Sequence, residues 1–328
     1  MLRRLRVVLA GVIATFVAAS GTVAQGVTSA SAEPAPTWPT GGALFGAYVS
    51  IDAHTGATRE AAWSKFELQA GRRMDVDRQF KRWDDPCVNS SDAASVAAGR
   101  RLLISWDAKR KNGSYETWKR IASGADDPLI DGCAAALNSL GTLVEFSFQH
   151  EPETNTGALP GGAGTSADYI AAYRHVVDRM RSDGANVVYV PIYMAQTARL
   201  KRMATWYPGS AWVDAVGFDG YNWYGCVNPK GPWVTPTFVF SGAHTFTTSV
   251  GKPMVIAEWG TGEDPATVGR KAQWINSLAT MAKGWSNLVE VNIYHSGRNK
   301  NCPRYADTSP SSLAAFDAMG ADPYFNTH

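Results

Sequence analysis

The 328-residue sequence has little charge, and its charges are balanced. Asp, Glu, Lys and Arg make up 18% of the residues, and 31 basic against 29 acidic side chains leave a formal net charge of +2. The two signs are interspersed, so the chain has no basic stripe of the kind that binds nucleic acid or an anionic membrane. We therefore expect neither of these partners.

Several short motifs of known chemistry are also missing. The sequence has no C-x-x-C and no H-E-x-x-H pattern, so a zinc site has little support. It has no G-x-S-x-G elbow, which disfavours a serine hydrolase. No internal repeat is visible, which disfavours a solenoid or propeller. We expect no metal ion and no organic cofactor.

Tryptophan, in contrast, is abundant, with 12 residues. A chain that is poor in charge and rich in Trp suits a neutral ligand with flat faces for stacking, as sugars have. For any single Trp, a place in the hydrophobic core is the better expectation.

The N-terminus predicts an export signal over residues 1–32. Met1–Arg6 is basic, Val7–Ala19 is apolar but too short to span a bilayer, and Ala30–Ala32 is the small-residue pattern that signal peptidase cuts after. An uncut membrane anchor is the alternative. No later stretch reaches the ~18 unbroken apolar residues of a spanning helix, so we expect no membrane partner and a secreted, extracellular protein. A short Pro-rich tether, residues 33–42, would follow the signal.

Four cysteines in an exported chain predict two disulfides. They are Cys87, Cys133, Cys226 and Cys302, and three pairings are possible. We favour Cys87–Cys133 and Cys226–Cys302, since each pair would join loops at one end of the fold described next.

Eight apolar, β-branched runs alternate with helical stretches such as Ser166–Ser182 and Pro265–Lys283. The predicted strands are Ala43–Val49, Met74–Phe80, Leu102–Trp106, Val144–Phe148, Val187–Ile192, Val213–Phe218, Pro253–Ala257 and Leu288–Ile293. This alternation predicts an α/β protein with a single (β/α)8 TIM barrel over residues 43–328. A doubly wound open sheet is the alternative, but it would normally have a Gly-rich turn after its first strand, and none follows Val49. A single barrel predicts a monomer.

Catalytic groups in a (β/α)8 barrel lie where the strands end, and these positions carry many ionisable and aromatic residues here. They are Trp106-Asp107, Gln149-His150-Glu151, Asp219, Tyr221, Trp223, Glu258-Trp259 and Tyr294-His295. Glu151 and Glu258, after strands four and seven, would face each other across the barrel mouth. Two carboxyl groups are what glycosidic hydrolysis needs, one as an acid and one as an ionised nucleophile. The competing acids are Glu145, Glu153 and Glu263.

The ordered motifs resemble glycoside hydrolase family 26, whose members are retaining β-glycanases on (β/α)8 barrels of clan A. The matching segments are Leu44–Val49, Phe66-Glu67 with Gly71, Ile104–Asp107, His150-Glu151, Trp206–Gly209, Val216–Tyr221 and Ile256–Gly260. The resemblance implies that Glu151 is the acid/base and Glu258 the nucleophile. It further implies that His150 replaces an asparagine usual elsewhere in the clan, that Asp219 contacts substrate and that Tyr221 supports the nucleophile.

The chain also departs from the mannan-cleaving members of that family. Those members usually continue His-Glu as Met-Asn-Gly with a tryptophan soon after, whereas Pro152-Glu153 follows here. An arginine often precedes the His-Glu pair, and Ser147–Gln149 contains none. Many members place a tryptophan after strand eight, where this chain has Tyr294.

The resulting expectation is a secreted, retaining endo-β-1,4-mannanase that acts on a polysaccharide. A mixed-linkage β-glucanase or a xylanase with the same two glutamates is one alternative, and a non-catalytic carbohydrate-binding barrel is another. Trp106, Trp223, Trp259 and Tyr294 are the expected sugar-stacking residues.

Overall fold

The structure is a computed structural model that describes residues 38–154, 163–226, 231–298 and 302–326. The expected export signal (residues 1–32), the first half of the tether (33–37) and most of the Gly-rich stretch 157–164 lie outside these ranges.

Nine parallel strands form one sheet with the order β5-β4-β3-β2-β1-β9-β8-β7-β6. The strands are β1 Leu44–Val49, β2 Val76–Arg82, β3 Arg101–Asp107, β4 Val144–Phe148, β5 Val187–Tyr189, β6 Ile192–Met194, β7 Val216–Asn222, β8 Met254–Thr261 and β9 Leu288–His295. The last strand pairs with the first, as a barrel requires.

The predicted fifth strand is divided into β5 and β6 at Val190-Pro191, because proline has no N–H to donate to a neighbouring strand. The segment still bonds on both sides. Val190 N donates to Phe146 O at 2.8 Å, and Gly217 N donates to Pro191 O at 2.8 Å. These bonds join the two edges of the curled sheet, and the predicted (β/α)8 architecture is confirmed with one broken strand.

Helices follow most of the strands. They are α1 Arg59–Gln69, α2 Ser90–Ala97, α3 Trp118–Ala122, α4 Asp127–Asn138, α5 Ser166–Ser182, α6 Ala195–Arg199, α7 Pro236–Val250, α8 Arg270–Lys283 and α9 Pro310–Ala321, with 3-10 turns at Pro152–Thr154, Met203–Thr205, Ser210–Trp212 and Pro323–Phe325. Helix α5 has the predicted bounds, and Thr165 caps it through a capping box with Asp168. Helix α8 begins at Arg270, five residues later than predicted, because Gly269 takes a left-handed conformation before it.

The strands separate two hydrophobic cores, since successive side chains of a strand point to opposite faces. The larger core lies between the sheet and the helices, and Leu102, Ile104 and Trp106 of β3 all belong to it. The smaller core lies on the other face, with Leu103 of the same strand. This alternation decides which residues near the strand ends point into the barrel.

Both favoured disulfides are present. Cys87 joins Cys133 and Cys226 joins Cys302, with Cα separations of 5.2 and 5.0 Å. Within the described ranges, every helix is too short or too polar to cross a membrane.

Candidate active site

The two predicted glutamates line one cleft at the C-terminal ends of the strands. Glu151 lies three residues beyond the end of β4, and Glu258 lies in β8, where it is buried. The cleft has a volume of about 610 Å³. Strands β4 and β8 lie on either side of β1 in the strand order. Closure of the barrel therefore brings together two residues that are 107 positions apart in the sequence.

An unusual backbone carries Glu151 into the cleft. Gln149 and Glu151 have φ values of 53° and 45°, in the left-handed region that residues other than glycine rarely adopt. Three hydrogen bonds fix this turn: Gln149 N donates to Trp106 O (3.0 Å), Ala108 N donates to the Gln149 side chain (3.0 Å), and Glu151 N donates to Ile192 O (2.8 Å). Strain held in this way is typical of functional sites.

The environment of Glu151 favours its protonated form. Burial raises the pKa of Glu151 to about 7, and the negative charges of Glu258 and Glu153 act in the same direction against the opposing charge of His150. A carboxyl group with this pKa stays largely protonated up to about pH 7, as a general acid must.

Glu258 is instead surrounded by hydrogen-bond donors. The Tyr221 hydroxyl donates to one carboxylate oxygen, and Arg78 Nη2 lies 3.5 Å from the other. Arg78 is fully buried in β2, with its guanidinium 4.2 Å from the centre of the Phe80 ring. Burial raises the pKa of Tyr221 well above its usual range, so its hydroxyl stays protonated and donates. These contacts stabilise a negative charge on Glu258.

His150 lines the cleft and contacts both Asp107 and Phe80. Its Nδ1 lies 2.9 Å from Asp107 Oδ1, and its ring packs 5.1 Å from Phe80. Burial by itself would lower the pKa of His150, but the charge and hydrogen bond of Asp107 outweigh it and raise the pKa to about 9. The ring is therefore a cationic donor near neutral pH.

Asp219 is a buried acid beside Glu258. The two residues are register partners in β7 and β8. Neither carboxyl oxygen of Asp219 has a hydrogen-bond partner among the described residues. Burial raises the pKa of Asp219 well above its usual range, and the charges of Glu258 and Glu151 add to this effect. A buried carboxyl group with no partner in the protein is available to bind a substrate hydroxyl.

Two of the four predicted sugar-stacking residues lie in the cleft. Tyr294 stacks on Tyr48 with 4.8 Å between ring centres, and Trp223 is 43% exposed.

The other two are buried, and their prediction as stacking residues is wrong. Trp106 stacks on Trp83 at 4.2 Å and Trp259 on Trp274 at 5.7 Å, both on the helix side of the sheet. Because Trp259 is adjacent to Glu258 in a strand, the two side chains point to opposite faces.

The competing glutamates have structural partners. Glu145 forms an ion pair with Arg101 at 3.0 Å inside the barrel. Glu153 accepts hydrogen bonds from Met194 N (2.8 Å) and the Thr197 hydroxyl (2.7 Å). Glu263 accepts hydrogen bonds from the hydroxyls of Thr308, Ser309 and Ser312.

Two groups of side chains in the described residues have the spacing of metal ligands. One is His54, His295 and Asp307, with ligand atoms within 4.8 Å of one another. His295 Nδ1 accepts the Ala306 N–H, so a neutral ring carries its proton on Nε2 and offers no lone pair to a metal. The other is His150, Asp219 and Glu258, where the buried cation Arg78 opposes a second positive charge. The hydrogen bond to His295 in the first group and the charge of Arg78 in the second both disfavour a metal ion.

The cleft continues past Glu151 into a second depression of about 470 Å³. The two depressions share Glu151, Met194, Tyr221 and Trp223. We name the first the basic half, which is lined in addition by Tyr48, Phe80, Arg82, Lys109, Glu258, Tyr294, Arg298 and Arg304. The second is the apolar half, whose further lining includes Asp219 together with Gln196, Arg199, Val234, Phe238 and Val239.

Sequence reasoning missed Arg78 and Arg304. Arg78 lies mid-strand in β2, where a charge between buried residues was the only local signal. Arg304 lies beyond β9, and its place depends on Gly260, where a Cβ atom would come within 2.5 Å of the Arg304 side chain. No local motif indicates that contact.

The chain is similar to known glycoside hydrolases. The family model described as Glycosyl hydrolase family 26 matches residues 146–248. Endoglucanase H of Acetivibrio thermocellus is 31% identical over 277 residues, covering 80% of this chain and 29% of that protein. A mannan endo-1,4-beta-mannosidase of Bifidobacterium adolescentis is 28% identical over 165 residues, covering 44% of this chain and 16% of that protein. The chain thus spans less than a third of the length of these relatives.

A solved structure supports the fold. A GH26 beta-mannanase from Bacteroides ovatus superposes with a TM-score of 0.62 at 18% identity, covering 87% of this chain and 90% of that one.

Proposed function

Because the chain belongs to glycoside hydrolase family 26, we propose that it is a secreted, retaining endo-β-glycanase, with β-1,4-mannan as the first candidate substrate. One observation carries the proposal. The cleft holds two glutamates in contrasting surroundings, Glu151 with a pKa raised to about 7 and Glu258 hydrogen-bonded by Tyr221 and Arg78. Carboxyl groups that differ in this way supply the acid and the nucleophile of glycoside hydrolysis.

The proposed reaction has two steps. Glu151 gives its proton to the glycosidic oxygen as the bond to the anomeric carbon breaks, and a Glu258 oxygen bonds to that carbon. Glu151, now ionised, takes a proton from a water molecule, whose oxygen displaces Glu258 and leaves the product with its original β configuration. This sequence calls for carboxyl groups about 5–5.5 Å apart once the substrate is bound.

The neighbouring residues support these steps. Tyr221 and Arg78 orient Glu258 and stabilise its charge when it leaves the anomeric carbon. Cationic His150, held by Asp107, lies close to Glu258 and would bind a hydroxyl of the reacting sugar. Asp219 also lies close to Glu258 but lines the apolar half, so its unpartnered carboxyl group would bind a hydroxyl near the cleaved bond.

The two halves of the cleft take opposite ends of the substrate. The apolar half contains Glu151 but not Glu258, so it would receive the leaving sugar that Glu151 protonates. The basic half contains Glu258 and the Tyr48–Tyr294 stack, so it would hold the sugar that Glu258 attacks. Exposed Trp223 and Phe238 provide stacking surfaces toward the leaving side. A cleft that continues on both sides of the reacting centre suits attack within a chain.

The choice of mannan draws support from the names of the Bifidobacterium relative and the Bacteroides structure. A second candidate, a β-glucan, is favoured by the longer and more identical match to Endoglucanase H. The two disulfides suit an oxidising compartment, which agrees with export by residues 1–32.

The test is product release from galactomannan, glucomannan, barley β-glucan and xylan. The wild-type protein is compared with Glu258→Gln and with the matched control Glu263→Gln, whose carboxylate is held by hydroxyls of the α9 region. Activity on the mannans, abolished in Glu258→Gln and kept in the control, supports the full proposal. Activity on β-glucan or xylan alone retains the mechanism and replaces the substrate. If Glu258→Gln is as active as the wild-type protein, the assignment of Glu258 as the nucleophile is refuted.

A further inference from the structure

Basic side chains are concentrated in one half of the cleft. Besides His150, which is paired with Asp107, the described cations that line the basic half are Arg59, Lys81, Arg82, Lys109, Arg298 and Arg304. Arg199 is the one described cation that lines the apolar half. A neutral sugar offers hydroxyls, which need hydrogen-bond partners but no excess of one charge. The asymmetry therefore calls for a separate explanation.

Two of these cations are already neutralised inside the protein. Arg59 pairs with buried Asp77, and Lys81 Nζ lies 2.5 Å from buried Asp92. They are structural ion pairs at the edge of the cleft.

The acids that line the basic half are Asp85, Asp107, Glu151 and Glu258, and each already has a role or a partner; Glu151 is the proposed proton donor. Asp85 pairs with Lys111 at 3.1 Å and Asp107 with His150 at 2.9 Å. Glu258 is held by Tyr221 and Arg78. None of these carboxylates is therefore left to neutralise the remaining cations.

Four cations, Arg82, Lys109, Arg298 and Arg304, have no carboxylate partner within the ranges that the structure describes. Arg82, Lys109 and Arg298 are exposed toward solvent. Arg298 donates a hydrogen bond to the hydroxyl of Tyr294, which places a positive charge beside the predicted sugar platform.

Arg304 gives the strongest indication of a ligand. Only 6% of it is exposed, and its Nε and Nη2 have no hydrogen-bond partner among the described residues. Its guanidinium lies 4.4 Å from the Tyr221 ring centre and 4.5 Å from that of Trp223. Gly260 makes room for its stem. A buried guanidinium that lines a cleft with two nitrogens unsatisfied is suited to a planar anion, because its fork of N–H groups matches a carboxylate.

We propose that the basic half binds a sugar residue that carries a carboxylate, so that the preferred glycan has a uronate on the non-reducing side of the cleaved bond. This inference rests on the proposed function, since the acid/base and nucleophile roles decide which half holds that side. The uronate stacks near Tyr294 and Tyr48 while Arg304 and Arg298 bind its carboxylate. The apolar half, with one cation, takes a neutral unit.

The test compares ligands that differ only in the carboxylate. β-1,4-Mannuronate and β-1,4-glucuronate oligosaccharides are each paired with their carboxyl-reduced twins, which are the neutral manno- and cello-oligosaccharides. A xylo-oligosaccharide with one glucuronate side group, and its reduced twin, distinguishes a side-chain acid from a backbone acid. Binding to the full chain carrying Glu258→Gln is measured by calorimetry at low and high salt, so that no hydrolysis intervenes.

We expect the acidic member of at least one pair to bind about tenfold or more tightly at low salt, with the advantage shrinking as salt screens the charges. Adding Arg298→Gln or Arg304→Gln should remove most of this advantage. Arg73→Gln, which removes a charge before β2 at the opposite end of the barrel, should preserve it. If Arg304→Gln fails to fold, exposed Arg298 still provides the test.

Equal or weaker binding of all acidic members would overturn the inference, and so would an advantage that both cleft variants retain. Wild-type hydrolysis of neutral glycans in that case would leave the proposed function intact. Binding of no member of any pair, with no wild-type activity on the polysaccharide panel, would overturn both.

Discussion

The hydroxyl of Tyr221 offers a single-atom test of how Glu258 is supported. Tyr221→Phe removes the donor to Glu258 and keeps the ring that contacts Trp223 at 5.0 Å and the Arg304 guanidinium at 4.4 Å. A hydrogen bond to a charged group contributes about 1.5–3 kcal/mol. Since each 1.36 kcal/mol of barrier is tenfold in rate, we expect kcat/KM to fall by about ten- to a hundredfold.

The assay uses aryl glycosides with good leaving groups beside the polysaccharide. Glu258 must depart as a carboxylate in the second step, which limits kcat when the leaving group needs no acid, so with these substrates the loss should also appear in kcat. Burial raises the pKa of Tyr221 well above its usual range, so its hydroxyl stays protonated and the loss should be similar at every pH of the assay.

The matched control is Tyr324→Phe. The Tyr324 hydroxyl donates to Ala282 O at 2.9 Å, near the start of β9 and away from the cleft. Tyr324→Phe should lower the free energy of unfolding by about 0.5–1.5 kcal/mol and leave kcat/KM unchanged. Equal activity losses in the two variants, or no loss in Tyr221→Phe, would refute the reasoning.

Three further predictions concern pH, substrate binding and stability. Because Glu151 must be protonated and its pKa is raised to about 7, kcat/KM should fall about tenfold per pH unit above that value; a profile flat to pH 9 would contradict this. Trp223→Ala should raise KM on polysaccharide by about two- to tenfold through lost stacking, while Trp106→Phe lowers Tm and leaves KM unchanged; the reverse pattern would restore Trp106 as a binding residue. Replacing Cys226 and Cys302 by Ser opens a link across 76 residues and should cost about 2–5 kcal/mol in the free energy of unfolding, measured by urea denaturation; an unchanged midpoint would show that the link adds no stability.

The fold and the two glutamates were predictable because both depend on local signals. Alternating apolar runs and helices predicted the barrel, and catalytic residues in barrels follow strand ends. Glu151 and Glu258 could therefore be assigned to one cleft without knowing any contact. The division of the fifth strand at Pro191 had its own signal, since proline interrupts strand pairing, but the apolar run around it concealed the break.

The remaining features depend on direction and on long-range packing. Trp106 and Trp259 were predicted to lie in the cleft only because they stand at strand ends. Side chains alternate along a strand, so Trp259 points away from the face that carries Glu258. Arg78 reaches Glu258 across 180 residues of sequence. Arg304 reaches Tyr221 only because Gly260 leaves space for its stem. No sequence pattern indicates such contacts between distant segments.

The covalent intermediate on Glu258 is the most direct test of the proposed mechanism. Glu151→Ala is mixed with dinitrophenyl β-mannobioside or β-cellobioside, whose leaving group needs no acid. The quenched protein is digested, and its peptides are identified by mass spectrometry. The mechanism predicts a burst of dinitrophenol and one added disaccharide on the peptide that contains Glu258, because the second step lacks its base. A burst-free reaction with an unmodified Glu258 peptide and an inverted product would contradict it.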